Sequence, residues 1–276
     1  MRNLLSANLL RLRKNHLFWG VLAVGVLLAA FRVHTLWRDH VDLGVPSTLD
    51  EALFTYAQII GLTAAVFVSL FLGTEYSDGA IRNKVTSGCS RAAIYLAGLL
   101  TVFAASVLSL IAYWIVALAM GIPLLDSSGM GVGKALFTLL GVLLMTAAFC
   151  ALFTFITMNC SSKAANAVVC ILLFFALLVA STYIYARLEA PEFVSNYEIS
   201  VNGEIMPSEP QPNPQYLQPG PRKVFEFLWD LLPTGQGVQY SIGAVTAPVR
   251  LLLCSLGVTA VSTGAGAALF RRKDLK

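Results

Sequence analysis

Charged residues are scarce in this sequence. Asp, Glu, Lys and Arg make up 12% of the 276 residues and apolar types 57%. An average soluble domain carries about 25% charged residues, so an ordinary soluble fold is excluded and the chain belongs in a membrane. The cores of its long apolar runs lack Asp, Glu, His, Lys and Arg altogether. Ion- and proton-coupled carriers place such groups within the membrane at roughly 2.5–3.5 kcal/mol each on insertion scales, because those groups bind the ion. Their lack here points to an energy source outside the chain.

Cysteine and histidine are equally sparse. Of five cysteines, Cys150, Cys170 and Cys254 fall within apolar runs while Cys89 and Cys160 fall in turns, which leaves neither a disulfide framework nor a CxxC metal pattern. His16, His34 and His40 are the three histidines. His34, Asp39 and His40, with Asp42 nearby in "RVHTLWRDHVD", are metal-ligand types, but loop histidines without a third fixed ligand are ordinarily solvated. No HExxH or GxSxG context suggests an intramembrane enzyme. A phosphate loop is lacking too: in "SSGMGVGKA" Ser128 stands where the first Gly is required, and Ala135 follows Lys134. The basic, apolar start resembles a secretory signal, but no A-x-A site follows it, and it reads as a membrane span.

Six apolar spans are present, at 16–33, 53–74, 92–122, 135–158, 164–186 and 250–270. A span needs about twenty residues. The first is short between charges, and His16 and Arg32 can snorkel outward from its ends. An even number of spans puts both termini on one side. That side carries twelve Lys and Arg against three acids, and the other carries seven against twelve. The positive-inside rule therefore places both termini in the cytoplasm. The net charge of +4 reflects this topology, and no nucleic acid is expected as a partner.

Three segments lie outside the spans. Residues 1–15 set Leu5, Leu9 and Leu12 on one helical face with Arg11 and Lys14 away from it, as in an interfacial helix on the inner leaflet or a plain basic flank. Residues 187–249 hold nine of the eleven prolines and form an extracellular insert. Within it, Ile199, Val201 and Ile205 alternate about Asn202–Gly203, a hairpin signal. "PSEPQPNPQYLQPGP" reads as extended chain, short of backbone donors for helix or sheet. Val224, Phe227, Leu228, Leu231 and Leu232 then follow helical spacing up to Pro233 and Gly235, giving an amphipathic helix that serves as an outer gate (Phe227, Leu228, Leu231, Pro233) or as a cap on helix ends. In residues 75–91, Gly79 and Gly88 bracket "AIRNKVTS", a two-turn surface helix or an ordinary polar turn.

That third segment, "GTEYSDGAIRNKVTSGCSRAAIYLAGLL", resembles the cytoplasmic segment of ABC type-2 permeases, the membrane subunits of ATP-binding-cassette exporters. Glu75–Tyr76, the run Gly79–Ala80–Ile81–Arg82 and Ser90–Arg91 carry the resemblance, and "LLPTGQG" and the basic tail "FRRKDLK" extend it over most of the chain. Among such subunits it is most similar to those of bacterial peptide-antibiotic (lantibiotic) export and self-protection systems. It departs at Gly98, where related sequences often carry Lys, which puts in doubt the headgroup or helix-end contact of such a Lys.

The resemblance implies an all-α polytopic membrane protein of the bacterial cell membrane, with no catalytic or metal site. It implies ATP and Mg bound by two copies of a separate ATPase subunit and a second permease subunit, identical or paralogous, in the lipid bilayer. It also implies that 75–91 is a coupling helix, with Glu75, Tyr76, Ile81, Arg82, Lys84, Val85 and Arg91 as ATPase-coupling residues. Ile81 and Val85 are then docking knobs, and a Glu75–Arg91 pair fixes the helix angle. Tyr56, Gln58, Thr63 and Asn166 are pathway-lining candidates or interhelical glue. Gly257, Ala260, Gly264 and Ala268 form a small-residue stripe suited to close helix approach between copies. An ion-coupled secondary transporter, or a membrane scaffold or sensor subunit, is the alternative.

Overall fold

A computed structural model describes residues 1–276 except 128, 195–196, 200–204, 208–209 and 274–276, and gives the backbone alone for 197–199 and 205–207. Helix α1 (Arg2–Arg13) has Arg11 and Arg13 in its last turn, where cations suit the helix dipole. Helix α2 (His16–Leu43) starts on Asn15, whose Oδ1 accepts from the backbone of Leu17 at 2.9 Å and Phe18 at 3.3 Å. It runs well past the expected end at 33. No breaker occurs before Gly44, whose left-handed φ of 65° closes it, and an Arg38–Asp42 pair at 3.1 Å bridges successive turns. The expected loop with His34 and His40 is therefore helix. His34 packs on Trp37, while His40 Nδ1 lies 3.8 Å from Asp126 Oδ2 on another element.

The second span is interrupted at one residue, whose own backbone stays helical. Helix α3 (Leu49–Phe54) gives way at Thr55, whose hydroxyl back-bonds to the Glu51 carbonyl at 2.5 Å and accepts from Arg32 Nε at 3.2 Å, before α4 (Tyr56–Ser77) begins. Helix α5 (Ala80–Thr86) follows a turn at Gly79, where φ of 67° suits glycine. Then come α6 (Arg91–Leu124), capped by Ser90, α7 (Val132–Asn159), and α8 (Lys163–Leu188), capped by Ser162. Strands β1 (Phe193–Val194), β2 (Tyr197–Ile199), β3 (Ile205–Pro207) and β4 (Gln211–Pro212) precede α9 (Pro219–Leu231), α10 (Pro233–Ser241) and α11 (Pro248–Arg272).

Among the described residues six helices are long and apolar enough to cross a membrane: α2, α3 with α4, α6, α7, α8 and α11. The chain is an all-α, multi-pass membrane protein. The middle of α4 and α7 is mostly buried, whereas only about a fifth of the positions in the apolar stretches of α2, α8 and α11 are buried, as in peripheral helices facing lipid. Phe67, Phe71, Phe149, Phe153 and Phe174 fill the centre, and Tyr56 stacks on Tyr113 at 4.6 Å. Helix α1 and the end of α11 lie at one end of the bundle, called proximal, and α9 and α10 at the other, called distal.

Strands β2 and β3 pair antiparallel with Ile199 opposite Ile205, one residue off the register of a two-residue turn at Asn202–Gly203, which would set Ile199 opposite Met206; the turn itself lies outside the described residues. The proline-rich stretch is not wholly unpaired. Val194 and Phe193 oppose Gln211 and Pro212 in a two-residue ladder, which a proline tolerates at a sheet edge. The helix expected to stop at Pro233 and Gly235 does break at Leu232, but Pro233 then occupies the first position of α10, where its missing N–H is no loss. Gly235 and Gly237 lie inside that second helix.

Helix α10 is buried among α4, α7 and α8 because its glycines allow backbone contact. A Cβ at Gly237 would stand 2.6 Å from the Ala57 carbonyl oxygen. Replacing Gly237 with Ala is expected to lower the thermal midpoint of the purified protein through about 1–3 kcal/mol of overpacking. Gly20→Ala, where nothing lies within 4 Å, is expected to be neutral or mildly stabilising in the same melt.

Candidate functional sites at the two ends of the bundle

Glu75, at the proximal end of α4, is 1% exposed. An apolar bundle buries a carboxylate only against opposite charge. Arg11 of α1 donates to its Oε1, and Lys84 of α5 reaches the same oxygen at 2.8 Å and Asn8 Oδ1 at 3.0 Å. Arg11 also lies over the Phe71 ring at 4.2 Å and donates to the Phe71 carbonyl. One carboxylate thus ties α1 and α5 to α4. Its Oε2 and Asn8 Nδ2 are buried without hydrogen-bond partners.

This geometry corrects three expectations. Arg11 faces inward while Leu9 and Leu10 are exposed, so α1 is pinned to the bundle by charge as well as by Leu12. Arg91 turns away from Glu75 and donates to the carbonyls of Phe270, Arg271 and Lys273 at the end of α11. Ile81, expected as an exposed docking knob, is 1% exposed and sits in the core of its own chain, with Val85 half-buried beside it. The outward face of the segment is polar: Asp78, Arg82, Asn83, Thr86 and Ser87.

Tyr76, next to Glu75, points to the other side of α4. Its hydroxyl donates to the Met158 carbonyl at the end of α7. Lys273 Nζ reaches that hydroxyl at 3.2 Å and that carbonyl at 3.3 Å, over the Tyr76 ring at 4.3 Å. Burial holds the Lys273 ammonium below the ordinary lysine pKa.

The second centre, at the distal end, was not foreseen. Asp230 of α9 is 1% exposed. Arg250 at the head of α11 pairs with its Oδ2, and Gln239 Nε2 of α10 donates to its Oδ1 at 2.9 Å. Gln236 donates to the Asp230 carbonyl at 2.7 Å and accepts from Ser255 at 2.6 Å. Thr234 meets Ser181 at 2.6 Å, and Gln58 of α4 donates to Ser241. The broken helix pair is thereby bonded to α4, α8 and α11. An acid between Trp229 and Leu231 in an otherwise apolar stretch was the available signal.

The four pathway candidates do not converge on a common lining. Tyr56 Oη bonds Ser109 at 2.8 Å, Thr63 bonds the Ile60 carbonyl at 3.0 Å, Gln58 binds α10, and Asn166 donates to the carbonyls of Thr157 and Cys160, both at 3.5 Å. Tyr56, Gln58 and Asn166 serve contacts between helices, while Thr63 bonds only within α4, to the Ile60 carbonyl and to Tyr56 Oη at 3.4 Å. Of the gate candidates, Phe227 and Leu231 line an apolar groove with Leu253, Val258 and Val261; Leu228 is exposed and Pro233 buried. Gly257, Ala260, Gly264 and Ala268 face away from the bundle. Gly98 packs inward, its Cβ position 2.7 Å from Met158 Cε, so a lysine there would enter the core without reaching a headgroup.

No protein-family model matches the chain, and no curated protein matches it either.

The distal pair is asymmetric, because the Arg250 side chain is 41% exposed and that of Asp230 only 2%. Arg250→Ala strands a buried carboxylate and is expected to destabilise by about 3 kcal/mol. Asp230→Ala leaves an arginine that can turn to water and strands only the neutral Gln239 amide, and a smaller loss of about 1–2 kcal/mol is expected. Denaturation of the two purified variants in one detergent checks the order.

Proposed function

We propose that the chain is the membrane-spanning permease subunit of an ATP-binding-cassette exporter, moving a hydrophobic or amphipathic substrate such as a peptide antibiotic or drug-like molecule out of the membrane or cell. ATP and Mg are bound by two copies of a separate ATPase chain; this chain binds neither and catalyses nothing itself. A second permease, identical or paralogous, completes the pathway in the bacterial cell membrane, with the proximal end in the cytoplasm.

The observation that carries this reading is α5. It is a short helix with an outward polar face, and it is fastened to α1 and α4 through a buried carboxylate instead of hanging as a loose turn. A partner pressing on that face moves two other helices with it. The exposed guanidinium of Arg82 offers charge complementarity to an acidic groove, with Asn83 and Thr86 beside it. The substrate class rests on the family resemblance and on the apolar groove beside α11.

One observation favours a second reading. Asp230, buried in a network of amides and hydroxyls, is the kind of group an ion-coupled carrier uses. Its pairing with Arg250 weighs against an ion-binding role. Transport by the purified chain alone in liposomes bearing a sodium or proton gradient separates the two.

Reversal of the docking charge tests the first reading. Arg82→Glu, on an exposed position, is expected to leave folding unchanged and to lower ATP-driven efflux and ATPase co-purification at least about tenfold, the equivalent of 1.4 kcal/mol of coupling. Unchanged efflux in Arg82→Glu and in Asn83→Glu contradicts it. Ile81→Asp is uninformative about docking, because a charge in the core disrupts the fold first.

A further inference from the structure

We infer that residues 270–273 form a strap that locks the proximal ends of α4, α6, α7 and α11 into one unit, whatever the chain carries. The last carbonyls of a helix have no partners within it and must find donors elsewhere. At the end of α11 those carbonyls are taken by Arg91, at 3.1 Å to Arg271 and 3.5 Å to Phe270, with Lys273 also bonded. At the end of α7 the Met158 carbonyl is taken by Lys273, at 3.3 Å, and by Tyr76. Each helix end is thus capped by a donor from a different element, and the two caps are joined through one residue, since Lys273 gives its side chain to α7 and Tyr76 and its carbonyl to α6. A cation at a helix C-terminus also meets the negative end of the dipole.

The contact is built in and selective. Arg271 and Arg272 carry the same charge in the same tail and are exposed, whereas Lys273 is drawn inward over the Tyr76 ring. Helix α11 approaches closely just above the strap: a Cβ at Gly266 would stand 2.2 Å from Tyr95 Oη, and the Gly266 carbonyl accepts from Asn159 of α7 at 3.4 Å. The strap therefore closes a packed seam. Because Tyr76 adjoins Glu75, the strap and the carboxylate clasp meet on α4, and a displacement of α5 reaches α11 through two consecutive residues. At the far end α11 is bonded to the broken helix pair through Arg250 and Ser255.

Hydrogen–deuterium exchange of the full-length chain in lipid nanodiscs, without any partner, tests this. In Lys273→Ala, amides 74–80, 155–160 and 266–272 are expected to exchange roughly 5- to 30-fold faster than in the parent, with α10 unchanged. Arg91→Gln is expected to loosen the end of α11 similarly. Arg272→Ala, the neighbouring exposed cation, is expected to change nothing. Unchanged exchange in Lys273→Ala overturns the strap. So does an equal effect of Arg272→Ala, which assigns the tail's hold to attraction between basic charge and lipid.

Discussion

A carboxylate inside an apolar bundle must be answered by positive charge from its own chain, and Glu75 shows what that requirement does to a structure. Its cations come from different helices, Arg11 from α1 and Lys84 from α5, so the electrostatic need of one oxygen fixes the position of two elements outside the membrane spans. Without that carboxylate, α5 would keep Ile81, half of Val85 and the Lys84–Asn8 bond, and α1 its buried Leu12 and the Arg11 contacts to Phe71. The pairing converts a surface turn into part of the bundle.

The polar centres at the two ends obey one rule, and the lipid-facing middle obeys another. Between the ends, helices are joined chiefly by packed aromatics, with a few bonds such as Tyr56 to Ser109, while most hydroxyls bond the preceding turn of their own helix. At the ends, buried charges and capped carbonyls leave few alternative arrangements. Helix α11 links the ends: its head is bonded to Asp230 and Gln236, its foot to Arg91, and between them its outer face is open. A six-span bundle built in this way suits transmission of movement along its length.

Much of the architecture was legible in the sequence, because charge-free runs longer than twenty residues admit few folds in water or lipid. The six spans, the Ser90 cap and an antiparallel strand pair on either side of Asn202–Gly203 follow from period and composition, though not the register of that pair; the helix after Gly79 was one of two readings the sequence left open. The extension of α2 to Leu43 was not legible, since polar residues on a helix beyond the membrane look like loop. The charge partners were hidden for a different reason. Arg11 lies 64 residues from Glu75 and Arg250 lies 20 from Asp230, and helical spacing within one segment says nothing about pairing between segments. The expected partner of Glu75 was Arg91, yet the unmet carbonyls of α11 claim that guanidinium and the nearer Lys84 pairs with the carboxylate. Ile81 was misread similarly: its spacing gave an apolar face but not which body the face would meet.

The central claim is that Glu75 couples α5 to the bundle, and a double-mutant cycle on Glu75 and Lys84 measures it most directly. With Glu75→Gln, Lys84→Met and the double variant unfolded under identical conditions, the account predicts a coupling energy of about 1 kcal/mol or more. Additive effects, with a coupling near zero, would contradict it.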